Sequence, residues 1–401
     1  MKGRKQKGVT LIALVITIIV LIILAGVSIN MLVGENGIIT QAQKGKEDTE
    51  KAKIEEEQAM NLLYDTIMTE GRVNVVDKTV EQIKEEGNYV VGNTQIKDSK
   101  GNKVVIPDGF KIAVDSGNNV SEGIVIEDKD LSIDGNGENR GNQFVWVPVG
   151  NIIKADGTQT TITLGRYTFA ENGTETLVQD AENYTEEIII ESYYKELTTA
   201  RISNGSDGTD GTNTTAKNLK GFIDSVKING GYYIARYEAG YRDGTKPYSK
   251  VSTGTPRTSV GTPITEGMVW NFINQGNAAK ASKAMYTNVN FETDLVNSYA
   301  WSTAISYIQK CSGDIDYSMQ SSLNTSIANT GKNGDEVCKI NDMASNMREW
   351  ATEYSTYVDS SHAGPCVSMG YDYTDVNASN RYGSRATSSN AHISFRVILF
   401  I

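Results

Sequence analysis

Hydrophobic and polar positions divide the chain into three textures. Residues 8–34 carry no charged side chain, and 9–33 are dominated by Ile, Leu and Val. At about 1.5 Å rise per residue, some 25 residues make a helix of roughly 37 Å, longer than the ~30 Å hydrocarbon core of a bilayer. In lipid the backbone must satisfy its own hydrogen bonds, so a transmembrane helix is predicted over 9–33. Lys2, Arg4, Lys5 and Lys7 precede it, which predicts a single-pass protein with a cytoplasmic N-terminus and an extracellular C-terminal domain. Gly34-Glu35-Asn36-Gly37 reads as a kink. Beyond it Ala52, Ala59, Leu63 and Ile67 fall on one helical face, a stripe sparse enough to predict a stalk over 34–70.

A linker with a short helix near 79–86 is expected over 71–103. From about residue 88 the texture changes to short β-like runs broken by Asn-Gly, Asp-Gly and Gly-Asn turns. Strands are expected at 104–106, 123–127, 144–149, 232–238 and 393–400. In the last, Ile393, Phe395, Val397 and Leu399 alternate with Ser394 and Arg396, so it must be tied into the fold. The whole is predicted as α+β, with an irregular domain over 104–401 and a flexible insertion near 150–222. Within that insertion 203–215 has no apolar side chain. Its Asp207, Asp210 and Asn213 lie three apart, in a solvated loop or a calcium site, although the spacing is not that of a calcium loop.

Charge narrows the function. The net charge is −11, and setting aside the four leader cations leaves −15, which excludes a nucleic-acid-binding face built on clustered Lys and Arg. Tyr outnumbers Phe by 20 to 8, a balance suited to binding surfaces. Three cysteines, Cys311, Cys338 and Cys366, leave at least one thiol outside any disulfide.

Lys7-Gly8-Val9-Thr10-Leu11-Ile12 resembles the type IV prepilin signature, a basic leader (1–8), a glycine and Phe-Thr-Leu-Ile-Glu at the head of an apolar helix. The resemblance implies cleavage between Gly8 and Val9 by a prepilin peptidase, with pilus or pseudopilus subunits as partners. The family's fifth-position glutamate is Ala13 here. A secretory signal peptide or a plain anchor is the alternative, but the apolar run exceeds the 7–15 residues of a signal peptide.

Further on, three segments fall in a telling order: Tyr299-Ala300-Trp301-Ser302-Thr303-Ala304, Ile340-Asn341-Asp342-Met343-Ala344-Ser345-Asn346-Met347-Arg348-Glu349-Trp350, and Ile393-Ser394-Phe395-Arg396-Val397. They resemble the formylglycine-generating-enzyme-like (sulfatase-modifying-factor) family, marked by Ser-Trp-x-x-Ala, Asp-Met-x-Gly-Asn-Val-x-Glu-Trp and a terminal Gly-Phe-Arg. Ser345 and Ser394 stand where glycine is common. The resemblance implies a C-type-lectin-like fold over roughly 143–401. Trp301, Asp342, Asn346, Glu349, Trp350, Phe395 and Arg396 are then structural anchors, with Glu349 able to pair with Arg396.

Chemistry is not expected. The family's enzymes use two closely spaced cysteines that bind copper, whereas the cysteines here are 27 and 28 residues apart in sequence. Cys366 follows His362 by four residues, yet nothing places an orienting carboxylate beside them. The only histidines, His362 and His392, lack metal-ligand spacing, and no cofactor or metal is implied. What remains is a polar surface over 370–392. Its ligand-binding candidates are Tyr371, Asp372, Tyr373, Asp375, Asn377, Asn380, Tyr382, Arg385, Asn390 and His392. Some lectin-fold proteins that this chain resembles have such a cassette rewritten at adenine positions by a diversity-generating retroelement, which turns Asn codons into Ser, Asp, Tyr, His, Thr, Gly or Arg codons. The expected function is display of a lectin-fold domain that binds an extracellular ligand. The alternatives are a minor pilin with a structural ectodomain and, third, a formylglycine-generating-type oxidase.

Overall fold

The computed structural model describes residues 14–24, 44–46, 49, 73–180, 189–191, 194–195, 200–203, 211–214, 219–320, 326–355, 364, 366–370 and 377–401. The chain divides into two compact units, Met1–Glu70 and Gly71–Ile401.

In the first unit residues 14–24 are helical, with their large apolar side chains exposed. A helix over 14–24 spans roughly 16 Å, about half the thickness of a bilayer core. No helix among the described residues is long and apolar enough to cross a membrane. This corrects two expectations, the long N-terminal transmembrane helix of the α+β reading and the single-pass membrane placement. The described residues form mostly strands in irregular sheets, joined by short helices. Gly8, Val9 and most of the expected stalk lie outside the described residues.

Two six-stranded sheets organise the second unit. In the central sheet the strand order is Glu292–Leu295, Val397–Phe400, Gly231–Ala235, Gln143–Pro148, Val125–Asp128 and Phe110–Ile112, antiparallel throughout. Its middle strand, Gln143–Pro148, is buried at every residue, which explains why Phe144, Val145, Trp146 and Val147 run on without polar alternation. The second sheet orders Ile189–Glu191, Tyr194–Lys195, Arg348–Ser355, Cys366–Met369 and Arg381–Ser384. Ile393–Phe395 joins it by lying parallel to Arg348–Trp350.

The chain's last residues therefore serve both sheets. Ile393–Phe395 pairs in the second, and Val397–Phe400 inserts between Gly231–Ala235 and Glu292–Leu295 in the central one. Arg396 sits at the crossing. Phe395, Val397 and Leu399 are buried, and so are Ser394 and Arg396, because neighbours cover both faces.

The helix Ser298–Ser312 packs against strands of both sheets. Asn297 starts it by accepting from the Ala300 N–H at 2.9 Å, and Gly313, at φ 83°, ends it in the left-handed conformation. Its apolar residues occupy all sides, as a core helix requires, and Ser302, Thr303, Ser306 and Gln309 are buried with them.

Residues read as a linker belong to this folded unit. Val73–Thr79 runs parallel to Asn93–Lys97, which pairs antiparallel with Lys103–Ile106. The helix Val80–Glu86 connects the first two strands and opens on a reciprocal cap between Thr79 and Gln82. The insertion likewise contains ordered structure. Two hairpins, Gly150–Ile153 with Gln159–Ile162 and Gly165–Phe169 with Glu175–Asp180, occupy its first part. Arg166 is fully buried there and pairs with Glu353 at 2.9 Å. Asp207 and Asp210 lie outside the described residues.

Candidate ligand-binding surface

The motif residues meet in a buried polar network beneath the second sheet's leading strand. Asp342 and Asn346 both adopt left-handed backbone, at φ 65° and 64°, a conformation that Asp and Asn tolerate better than most residues. Their side chains hold the surrounding loops. Asp342 accepts from the Thr330 hydroxyl at 2.6 Å, the Gly331 N–H at 2.7 Å and Asn333 at 2.8 Å. Asn346 accepts from the Ala328 N–H at 2.8 Å and donates to Glu238, which also accepts from the Met347 N–H. Arg396 donates to both carboxylate oxygens of Glu349, to the Ala235 carbonyl at 2.9 Å and to the Asn341 carbonyl at 2.8 Å. Trp350 donates its indole N–H to the Ile273 carbonyl at 2.8 Å, and Phe395 packs edge-on against Trp270. The two serines found where glycine is common are buried: the Ser345 hydroxyl bonds Asp342 and the Ser394 hydroxyl bonds the Trp270 carbonyl.

Glu238 belongs to this network although the sequence motifs do not include it. Burial raises its pKa well above the usual carboxylate range; the charges of Asp342 and Glu349 add to the rise and Arg396 opposes it. Burial likewise lifts Asp335 to about 6. Asp342, Asn346, Glu349 and Arg396 spend their polar groups on one another and on the surrounding loops, so the network serves as scaffold.

The scaffold presents an edge. Along Arg381–Ser384 the side chains alternate, and Arg381 turns inward to donate to Glu353 at 3.1 Å and Ser302 at 3.0 Å. Tyr382 faces outward and is 46 % exposed. The Arg348 guanidinium lies 4.1 Å from the centre of its ring. Arg348 precedes the buried Glu349, and strand alternation puts the two on opposite faces. That alternation is the one signal by which the sequence could have marked Arg348 as a surface residue.

The other candidates flank this pair. His392 accepts through its carbonyl from the Arg348 N–H at 3.0 Å. The Asn390 side chain accepts from the His392 N–H at 2.9 Å, and its carbonyl accepts from the Phe272 N–H. The Arg385 carbonyl closes a turn with the Ser388 N–H. Asn377 and Asn380 close another turn at 3.0 Å, leading into Tyr382's strand. That turn is fixed from below, where Trp301 donates to the Ala378 carbonyl at 2.9 Å and Ala378 and Ser379 bond the Gln320 and Ser318 carbonyls. Gly370 lies against Trp301 so closely that a Cβ there would come within 2.9 Å of the indole. Asn377, Asn380, Tyr382, Arg385, Asn390 and His392 are exposed or half-buried, whereas the intervening Ala378, Gly383, Ser384, Ala386 and Ala391 are buried. Tyr371, Asp372, Tyr373 and Asp375 lie outside the described residues, as does His362.

The thiols are poorly disposed for chemistry. Cys311, Cys338 and Cys366 are buried, and burial pushes the first two up to about 12, so those two stay protonated near neutral pH. No group of three or more acidic, His or Cys side chains that could hold a metal occurs among the described residues.

No family model matches the chain, so comparison establishes neither the prepilin segment nor the formylglycine-generating-enzyme-like assignment. No curated protein matches it either. Among solved structures it is weakly similar to the Major Tropism Determinant U1 variant, at 12 % identity and a TM-score of 0.29, covering 82 % of this chain and 100 % of that one. The M1 variant of the same protein gives 13 % identity and a TM-score of 0.29, over 82 % and 99 % of the two chains.

Proposed function

We propose that the Gly71–Ile401 unit is a ligand-binding domain, not an enzyme, and that its binding face is centred on Tyr382 and Arg348. The observation that carries this reading is the exposed Tyr382 ring under the Arg348 guanidinium, on a strand whose next residue inward, Arg381, is locked to Glu353. Tyr and Arg are enriched at interface hot spots, Tyr for its large contact area with few free torsions and Arg for its planar, many-donor guanidinium. Here both are held before a ligand arrives, which reduces the ordering cost of binding. The thiols of Cys311 and Cys338, kept protonated by burial, support the non-enzymatic reading.

The ligand lies outside the cell in this reading, and the retroelement cassette gives the face a means to change partner. Its exposed positions, from Asn377 to His392, alternate with buried small residues that fix the backbone. The Lys7-Gly8-Val9 leader supports processing by a prepilin peptidase, with pilus or pseudopilus subunits as assembly partners. The test is to probe printed glycan and peptide arrays with the full chain and with Tyr382→Ala. Signals lost in the variant, at unchanged melting temperature, support the reading. Signals that the variant retains place binding elsewhere.

A further inference from the structure

A cavity of about 270 Å³ opens between the hairpins Ser132–Ile133/Asn139–Arg140 and Gly240–Tyr241/Pro247–Tyr248 and the loop that leads to Gly267. It lies below the ~300 Å³ at which drug-sized pockets begin, so it suits a compact ligand. Lys250, 5 % exposed, lines it. Its ammonium donates to the Asp130 carbonyl at 2.6 Å and the Ser132 hydroxyl at 2.7 Å. Its nitrogen also lies 4.5 Å from the centre of the Tyr248 ring, so what the ammonium offers a ligand is its charge. Among the described residues no carboxylate forms an ion pair with it, because Asp130 pairs with Arg242 instead.

Two carboxylates share the cavity wall. Asp134 uses Oδ1 to accept from the Asn136 and Glu138 N–H groups, at 2.8 and 3.0 Å, which leaves Oδ2. Glu266 accepts the Tyr248 hydroxyl on Oε1, which leaves Oε2. Thr253 completes the wall, and Gly267, at φ 85°, keeps it there: a Cβ at 267 would come within 2.3 Å of the Thr253 hydroxyl. The cavity thus offers one buried cation and two anionic acceptors in a space too small for a large molecule.

We infer that this cavity binds a small zwitterion of the free amino-acid class, its carboxylate on Lys250 and its ammonium on Asp134 and Glu266. A simple anion would meet Lys250 but face two carboxylates, and a simple amine would meet the carboxylates but add its charge beside the Lys250 ammonium, each at a cost. An uncharged apolar ligand would strand all three groups.

The test is a thermal-shift and calorimetric titration of the full chain with glycine, alanine and lysine, against acetate, methylamine and glucose as controls. At least one amino acid should bind while acetate and methylamine separately do not. Lys250→Met should weaken that binding by about tenfold or more. If Lys250→Met does not fold, Asp134→Asn, whose amide oxygen can still accept from the Asn136 and Glu138 N–H groups, should weaken it in its place. The inference is overturned if no amino acid binds, if acetate or glucose binds as well as the amino acids, or if the folded variants bind like the parent.

Discussion

Arg396 and Glu349 form a fully buried fork-to-fork ion pair where the last strand leaves one sheet for the other, with Nε to Oε2 at 2.9 Å. The remaining donors of Arg396 reach the carbonyls of Ala235 and Asn341, so one guanidinium joins the central sheet, the second sheet and the hairpin that carries Asp342. The geometry under Tyr382 depends on this joint, because Glu349 and Arg348 are consecutive residues of one strand.

Replacing Arg396 with Met should therefore be severe. It strands a buried carboxylate, a loss of about 3–5 kcal/mol, against a typical domain stability of about 5–15 kcal/mol. Urea denaturation should show a large drop in midpoint, and adding Glu349→Leu should recover part of it, because the second change removes the stranded charge.

Stability should also depend on pH through Asp335. Its folded pKa is raised from 3.8 to about 6 by burial, so between those values the folded state holds more protons than the unfolded one. Stability from this group consequently falls as pH rises from about 4 to 6 and stays reduced above that. Asp335→Asn should flatten that stretch of the stability–pH curve, as read from denaturant midpoints across the window.

The strands were legible where burial produced continuous or alternating apolar runs, as at Phe144 to Val147 and Ile393 to Leu399. Alternation taken alone would turn Ser394 and Arg396 outward, whereas both are buried, Arg396 as the anchor on Glu349 that the family resemblance implied. The rule assumes one solvated face, and here both faces are covered. The sheet over 73–106 was missed because Val73–Thr79 finds its partner across a helix, and its own pattern of buried and exposed residues is irregular. Glu238 and the stacking of Arg348 on Tyr382 were invisible for another reason. Their partners are 108 and 34 residues away, and only the assembled fold brings them together. The apolar run at 9–33 led to a membrane-crossing helix, and no helix among the described residues is long and apolar enough to be one.

Processing is tested at the N-terminus. Sequencing of the mature protein should begin at Val9. An intact Met1, or a start beyond Ala25, contradicts the prepilin reading.

Variation of the binding face is tested in the genome. A reverse-transcriptase gene and a near-copy of the segment encoding 371–392 should lie nearby, differing only at adenines of the template. The codons of Trp350 and Phe395 should be invariant, since cutting either buried ring to Ala costs about 3–5 kcal/mol. Absence of any such repeat makes the segment a fixed loop.

The most direct test is a double-mutant cycle on the strongest array ligand, with Tyr382→Ala, Arg348→Ala and the pair, each checked for an unchanged melt. The account predicts that each single change weakens binding by about tenfold or more and that the double change costs clearly less than the two combined, because the side chains act as one stacked unit. Parental affinity in folded Tyr382→Ala would contradict it.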